Sequence, residues 1–258
     1  MQSDSRPREI RLRAFYIFLI SAVLFGFGQF HRLSGAVTLP PIAADLGITV
    51  ESLGFVAAIL FFTSAVLQVP NGMLLDRFGP RKVLPVHVGI AILGCLILSY
   101  ASSYEEVVVA RMLLGGGFSV TMMSAYVLFA KWYPVDKFAT VASWMMAASS
   151  LGSILASYPL AFFIETVGWR PAYWIVAGLT LLALIAGILI IQDEPPGYKR
   201  SDKQPATIRE SVSGYVSVLK FPKFFFLLAM GFVAFGPATA IIGMWGGPYL
   251  ETKFGLGG

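Results

Sequence analysis

Gly72-Met73-Leu74-Leu75-Asp76-Arg77-Phe78-Gly79-Pro80-Arg81-Lys82 is the stretch on which the reading of this chain turns. Its second half has the chemistry of a tight turn: Gly79 supplies a permissive backbone and Pro80 a fixed φ. On either side the sequence is apolar for about the width of a bilayer, over Ser52–Met73 before the turn and Val83–Tyr100 after it. A helix needs about 20 mostly apolar residues to cross the hydrocarbon. The turn therefore joins two antiparallel membrane helices. Arg77, Arg81 and Lys82 hold it in water at one membrane face. Asp76 closes the first helix and is placed to bond nearby donors or a helix N-terminus.

Working outward, the same kind of block recurs at Arg13–Val37, Glu106–Ala130, Phe138–Ile164, Pro171–Ile191 and Lys223–Tyr249. The composition agrees. Apolar residues are 57% of the chain, charged residues 13%, and the mean hydropathy is +0.75; a soluble domain carries about a quarter charged residues. Backbone inside lipid must satisfy its own hydrogen bonds, which leaves helices or a closed barrel. No block alternates with period two, so the fold class is an all-α membrane protein. The first block lacks a small-residue cleavage site after a short apolar core and reads as a retained signal-anchor helix. Cys95, the single cysteine, lies inside an apolar block, so no disulfide framework exists.

The net charge of +5 does not mark a nucleic-acid binder, because the cations sit in short connections between apolar blocks. Arg6, Arg8, Arg11 and Arg13 precede the first span, Lys131 and Lys137 follow the fourth, and Lys199, Arg200, Lys203, Arg209, Lys220 and Lys223 follow the sixth. With Arg77, Arg81 and Lys82 these all fall at one face. Only Arg32, Arg111, Arg170 and Lys253 lie elsewhere. The positive-inside rule puts that face, and the N-terminus, in the cytoplasm.

The organisation expected is a six-helix bundle over residues 1–192, a cytoplasmic linker over 193–222, and a first helix of a further bundle over 223–258. Pro195, Pro196 and Gly197 end the sixth span. Ile208, Val212, Tyr215, Val216 and Leu219 recur at helical spacing in the linker and predict a short amphipathic helix on the membrane surface.

The turn resembles the G-x-L-x-D-R-x-G-R-R/K signature of major facilitator superfamily transporters, matched here by Gly72, Asp76, Arg77, Gly79, Arg81 and Lys82. Arg111-x-x-x-Gly115-x-Gly117 on the fourth span is similar to a second motif of that family. So are Gly168-Trp169-Arg170 before the sixth span and Gly247-Pro248-Tyr249-Leu250 after the seventh. The resemblance implies two six-helix halves, each a 3+3 inverted repeat, that rock around a central site, with the Gly72–Lys82 loop acting as a gating clasp. It implies a secondary transporter in a bacterial inner membrane, with a small-molecule solute, the lipid bilayer and a coupling proton or counter-anion as partners. This chain stops soon after the seventh span, so a C-terminally truncated carrier is expected.

For the site, Arg32 near the outer part of the first span is costly in lipid, at about 2.5–3.5 kcal/mol at a helix centre. Gln29 lies one turn before it on the same face. The segment around it is similar to that of organophosphate antiporters, in which an arginine binds the anion. The seventh span has no arginine, which favours an organic anion or zwitterion over a phosphate. The rival reading is an arginine snorkelling to the interface. Ser119 and Tyr126 follow Arg111 and Gly115 at helical spacing and are further candidates for the cavity wall. Arg111 itself is read as bonding carbonyls at the outer helix ends, with the rival reading that it lines the cavity or tunes proton coupling. Gln68 and Asn71 are polar contacts of low specificity, and His87 is a packed or interfacial histidine. No Asp or Glu lies mid-span, so a coupling group would be His31, sit in the other half of the carrier or not exist, and His31 itself reads first as a helix-end polar residue.

Nothing in the sequence carries an enzyme: there is no metal-ligand cluster, no G-x-S-x-G and no nucleotide loop, and no cofactor is expected. The alternatives are a non-transporting half-carrier or membrane receptor, or a carrier for sugar or drug export. The drug–proton antiporter pattern G-P-x-x-G-G is missing from the fifth span, where Ala148, Gly152 and Ala156 read as small-residue packing.

Overall fold

A computed structural model describes residues 6–197, 214, 217, 219–240 and 253. Two compact units are present, Met1–Lys203 and Gln204–Gly258. The first holds ten helices among the described residues: α1 Arg8–Leu33, α2 Gly35–Leu46, α3 Val50–Val66, α4 Gln68–Phe78, α5 Pro80–Tyr100, α6 Tyr104–Phe118, α7 Thr121–Trp132, α8 Val135–Leu155, α9 Tyr158–Val167 and α10 Trp169–Ile190.

These ten helices make six spans. Five, from α1, α5, α6–α7, α8–α9 and α10, are long and apolar enough to cross a bilayer, and α3 with α4, bent by 42° at Leu67, makes the sixth. The order of breaks repeats. A broken span (α1–α2), a broken span (α3–α4) and a single helix (α5) are followed by a broken span (α6–α7), a broken span (α8–α9) and a single helix (α10). Gly79 before α5 has φ 76° and ψ 160°, and Gly168 before α10 has φ 94° and ψ 163°. Only glycine takes that backbone without strain. Three spans per repeat reverse the direction of the second copy, so this is an inverted 3+3 bundle.

The sequence reading drew each span as one continuous helix, and the breaks are new. Pro159 explains the α8–α9 break, since it opens α9 and cannot donate into α8. Pro70 does the same for the α3–α4 bend: it sits in the first turn of α4 and has no N–H for the Val66 carbonyl. At Ser119–Val120 no proline marks the spot. Pro40 and Pro41 do not end the first span: α2 runs through both to Leu46, where Gly47 in the left-handed region stops it.

Polarity is arranged inside out relative to a soluble protein. Phe62, Leu182 and Leu189 on the outer surface are 65%, 64% and 73% exposed, while Asn71, Arg111 and Thr180 are buried. Two apolar cores fill the interior. One, around Ile17, Phe25, Val88, Leu128 and Trp132, lies toward the N-terminal end; the other, around Ile42, Leu60, Leu98, Phe118 and Tyr173, lies toward the far end. Between them the helices touch through glycine. A Cβ at Gly115 would land on the Leu60 carbonyl, one at Gly152 on the Gly26 carbonyl, and one at Gly117 would lie 2.5 Å from the Ala91 nitrogen. Small residues permit this approach where no hydrophobic effect drives helices together.

The second unit contains α11, Phe224–Ala240, an apolar helix with Pro237 inside it. The predicted seventh span continues to Tyr249, and its last part, like most of the predicted linker helix, lies outside the described residues.

Candidate functional site

The signature turn sits at the N-terminal end of the bundle. The carboxylate that meets the start of α5 belongs to Asp193, just past α10. Its Oδ1 accepts the Arg81 backbone N–H at 2.8 Å. A Cβ on Gly79 would lie 2.6 Å from the same carboxylate, so only glycine fits there. Asp193 thus satisfies one orphan donor of α5 from a distance and faces the helix's positive end. Asp76 is exposed and forms no ion pair among the described residues. The segment after α10 also ties down the fourth span: Trp132 Nε1 donates to the Gln192 carbonyl at 2.8 Å, and Lys131 pairs with Glu194 at 3.2 Å. Arg6 donates to the Trp132 carbonyl and Tyr133 Oη to the Ala14 carbonyl at 2.8 Å, closing the ring on α1. These three acceptors after α10, one backbone carbonyl and two carboxylates, were not singled out in the sequence, because their partners lie about 60 and 112 positions away.

At the far end Arg170 pairs with Asp45, donates to the Ala101 carbonyl at 3.0 Å and stacks over Trp169 at 4.1 Å. A shallow hollow of about 460 Å³ opens beside this pair, lined by Pro41, Asp45, Ile164, Gly168, Trp169 and Arg170.

Arg111 is 1% exposed. Its Nε donates to the Val56 carbonyl and its Nη1 to the His31 carbonyl, both at 3.3 Å. His31 is in the last turn of α1, where carbonyls lack helical partners. The guanidinium therefore stitches the α1–α2 break to α3, and Gly35 lets it close in, since a Cβ there would lie 2.8 Å from Nη2. His31 is buried in the far core, stacked on Phe118 and Tyr173 at 5.1 and 6.1 Å; its Nδ1 has no partner and its Nε2 faces the Cys95 sulfur at 3.6 Å. That ring is walled off from water.

Arg32, one residue on, is different. It is half-buried and its Nη1 reaches the Gln29 Oε1 at 3.5 Å. The structure thus brings Arg32 and Gln29 together. It does not add Ser119, whose hydroxyl is buried and donates to the Gly116 carbonyl while accepting from Asn71 Nδ2 at 2.7 Å. Tyr126 is partly exposed and packs edge-on against Phe138 at 6.0 Å. Asn71 Oδ1 in turn faces His87 Nε2 at 2.9 Å, and His87 Nδ1 faces the Val83 carbonyl at 3.0 Å. This buried chain across three spans has no signature in spacing alone.

An inverted-repeat bundle of six spans, apolar outside and polar within, defines a multi-pass membrane protein of the carrier type. The chain belongs to the Major Facilitator Superfamily, whose pattern matches residues 14–258. It is 24% identical over 72% of its length to a probable sulfoacetate transporter SauU of Cupriavidus necator, covering 43% of that protein. It is 27% identical over 93% of its length to the nitrate/nitrite transporter NrtP of Picosynechococcus, covering 46%. It is 20% identical over 73% of its length to a probable galactarate/D-glucarate transporter GudP of Escherichia coli, covering 44%. The chain thus spans about half the length of the curated relatives it matches, and these are transporters rather than enzymes. Its fold matches a bacterial homologue of the human lysosomal transporter Spinster, solved inward-facing and unoccupied, with a TM-score of 0.72 at 18% identity over 95% of this chain and 57% of that one. It also matches a D-xylose–proton symporter, with a TM-score of 0.61 at 17% identity over 82% and 54%.

Proposed function

We propose that this chain serves secondary transport of a small organic anion by alternating access, with Arg32 as the charge partner of the solute and Gln29 orienting it. The single observation that supports this is the contrast between the two arginines inside the spans. Arg111 spends its donors on backbone carbonyls, whereas Arg32 is half-buried and, among the described residues, faces no carboxylate and keeps donors to spare beyond Gln29. A charge held part-way into a membrane helix is costly unless it is used. Sulfoacetate, nitrate and glucarate, the solutes named for the relatives above, are all anions. The signature turn, with Asp76, Arg77, Gly79, Arg81 and Lys82, serves as the gating clasp at the cytoplasmic face of a bacterial inner membrane.

Uptake of a panel of sulfonates, monocarboxylates and dicarboxylates into proteoliposomes tests it. A charge-assisted hydrogen bond contributes about 1.5–3 kcal/mol, so Arg32→Ala weakens apparent affinity by about tenfold or more, and Arg32→Lys by less. Unchanged affinity for every anion in the panel sinks the assignment. Solute binding by the parent chain without flux instead supports the half-carrier reading, in which the bundle holds a site and does not move it.

A further inference from the structure

We propose that His87, Asn71 and Ser119 form a proton-binding site, and that a proton gained by the His87 ring re-aims the Ser119 hydroxyl at the break between α6 and α7. The inference is independent of Arg32 and of the solute.

The geometry allows few arrangements. The Val83 carbonyl only accepts, so the His87 Nδ1 that faces it at 3.0 Å carries a proton. A neutral imidazole has one N–H, so its Nε2 is then an acceptor, and Asn71 must present its amide nitrogen there. That leaves Asn71 Oδ1 facing Ser119, whose hydroxyl donates to it and leaves the Gly116 carbonyl. When a proton arrives at Nε2 the ring donates on both sides, and Asn71 turns its Oδ1 to the ring and its Nδ2 to Ser119. Ser119 then donates to the Gly116 carbonyl. The structure holds this second arrangement throughout: Nε2 to Oδ1 at 2.9 Å, Nδ2 to the Ser119 oxygen at 2.7 Å, and the Ser119 hydroxyl on Gly116. No bond is made or broken apart from the one N–H.

The location gives the switch something to act on. Asn71 and Ser119 are 0% and 3% exposed, and the three residues lie where the two apolar cores meet. The two nearest span breaks face each other there: a Cβ on Gly116 would lie 3.1 Å from the Leu67 side chain, and Leu67 is the break between α3 and α4. Ser119 is the last residue of α6's cap, with its own N–H on the Gly116 carbonyl. Changing what that carbonyl accepts changes the bonding of the α6–α7 joint.

Charged neighbours do not compete for the ring. On α4, Asp76 and Arg77 are exposed at the N-terminal end; on α6, Arg111 is held by the His31 and Val56 carbonyls, and Glu105 and Glu106 stand at the far end. On α7, Lys131 pairs with Glu194 and Tyr126 packs on Phe138; on α10, Arg170 pairs with Asp45 and the Tyr173 hydroxyl donates to Thr38. Arg81 and Lys82 of α5 itself are exposed. Among the described residues the ring's hydrogen bonds go to Val83 and Asn71.

The test is nitrogen-15 spectroscopy of the full chain in lipid nanodiscs, at about pH 8 and about pH 5, the range in which imidazole ordinarily changes charge. The expected result is a second ring N–H on His87 at the lower pH, with the Ser119 and Gly116 amide signals moving in the same step and His31 unchanged. In Asn71→Leu the Ser119 and Gly116 response is lost. Asn71→Asp, an acceptor-only residue of the same size, serves if the leucine variant does not fold: it keeps both ring protons at about pH 8 and holds Ser119 and Gly116 at their low-pH positions. A His87 ring with the same protons at both ends of the range overturns the proposal. So does a Ser119 and Gly116 response that survives either Asn71 substitution.

Discussion

At the scale of the residue, Arg111 and Arg32 show why a buried cation in a membrane helix has to be judged by its acceptors. Both are arginines in apolar surroundings. Arg111 donates to the His31 carbonyl at the end of α1, which also accepts the Ser34 hydroxyl, and to the Val56 carbonyl inside α3, so removing it takes one charged donor from each. A hydrogen bond to a charged group contributes about 1.5–3 kcal/mol. Arg111→Leu is therefore expected to lower stability by about 2 kcal/mol or more, since the His31 and Val56 carbonyls both lose a donor. Arg111→Lys reaches at most one of them with a single point charge and falls between. Thermal unfolding of the detergent-solubilised chain ranks the three. A leucine variant as stable as the parent would mean the stitch carries no load. The sequence offered Arg111 as a candidate because an arginine in an apolar block is conspicuous. It offered no way to see Asp193, an ordinary acidic residue after a span, whose importance comes only from the turn of chain folded beside it. His87 and Asn71 were visible as polar residues, but a hydrogen-bond chain between separate spans is a tertiary fact.

At the scale of the element, the spans were legible because bilayer thickness and hydropathy fix them together, and their limits came within several residues of the helices except at the end of the first span, read as Val37 and found at Leu46. The breaks were not drawn, although Pro159 and Pro70 announce two of them. At the Leu67 bend a neighbouring helix also fills the gap, with Gly116 against the Leu67 side chain. Glycine is the element-scale currency of this bundle, and its positions differ in kind. A Cβ at Gly115 meets the Leu60 carbonyl, while one at Gly89 on α5 meets nothing within 4 Å. Gly115→Ala is expected to force α6 from α3 and cost about 1–3 kcal/mol. Gly89→Ala removes a helix-interior glycine without a clash and is expected to stabilise by about 0.5–1 kcal/mol. Opposite signs in the same unfolding assay would confirm the α3–α6 contact; equal losses would refute it. Gly79 is a third kind. Its φ of 76° and the Asp193 carboxylate both exclude a side chain, so Gly79→Ala costs about 1–3 kcal/mol. Pairing it with Asp193→Ala relieves the clash and leaves the backbone strain, so the double variant recovers part of the loss.

At the scale of the whole molecule, the first unit's contacts fix how the chain threads, and the loop charges say which way it faces. The N-terminus, the α4–α5 turn, the α7–α8 turn and the segment after α10 meet at one end through Arg6, Arg81, Trp132, Tyr133 and Asp193. The α2 end, the α5 end and the α10 start meet at the other through Asp45, Ala101 and Arg170. Placing the first end in the cytoplasm is a separate step that rests on where the cations lie. Single cysteines separate the two. The native Cys95 is fully buried and gives no background. Arg77→Cys and Glu105→Cys put a thiol on exposed positions at opposite ends. In intact cells a membrane-impermeant maleimide is expected to label the Glu105 variant, and to label the Arg77 variant only after lysis. The reverse pattern would keep the bundle and turn it over, moving the signature turn to the outer face and removing it as a cytoplasmic clasp. Labelling of both from one side would break the threading itself, and with it the pairing of broken spans on which the inverted repeat and the His87 site depend.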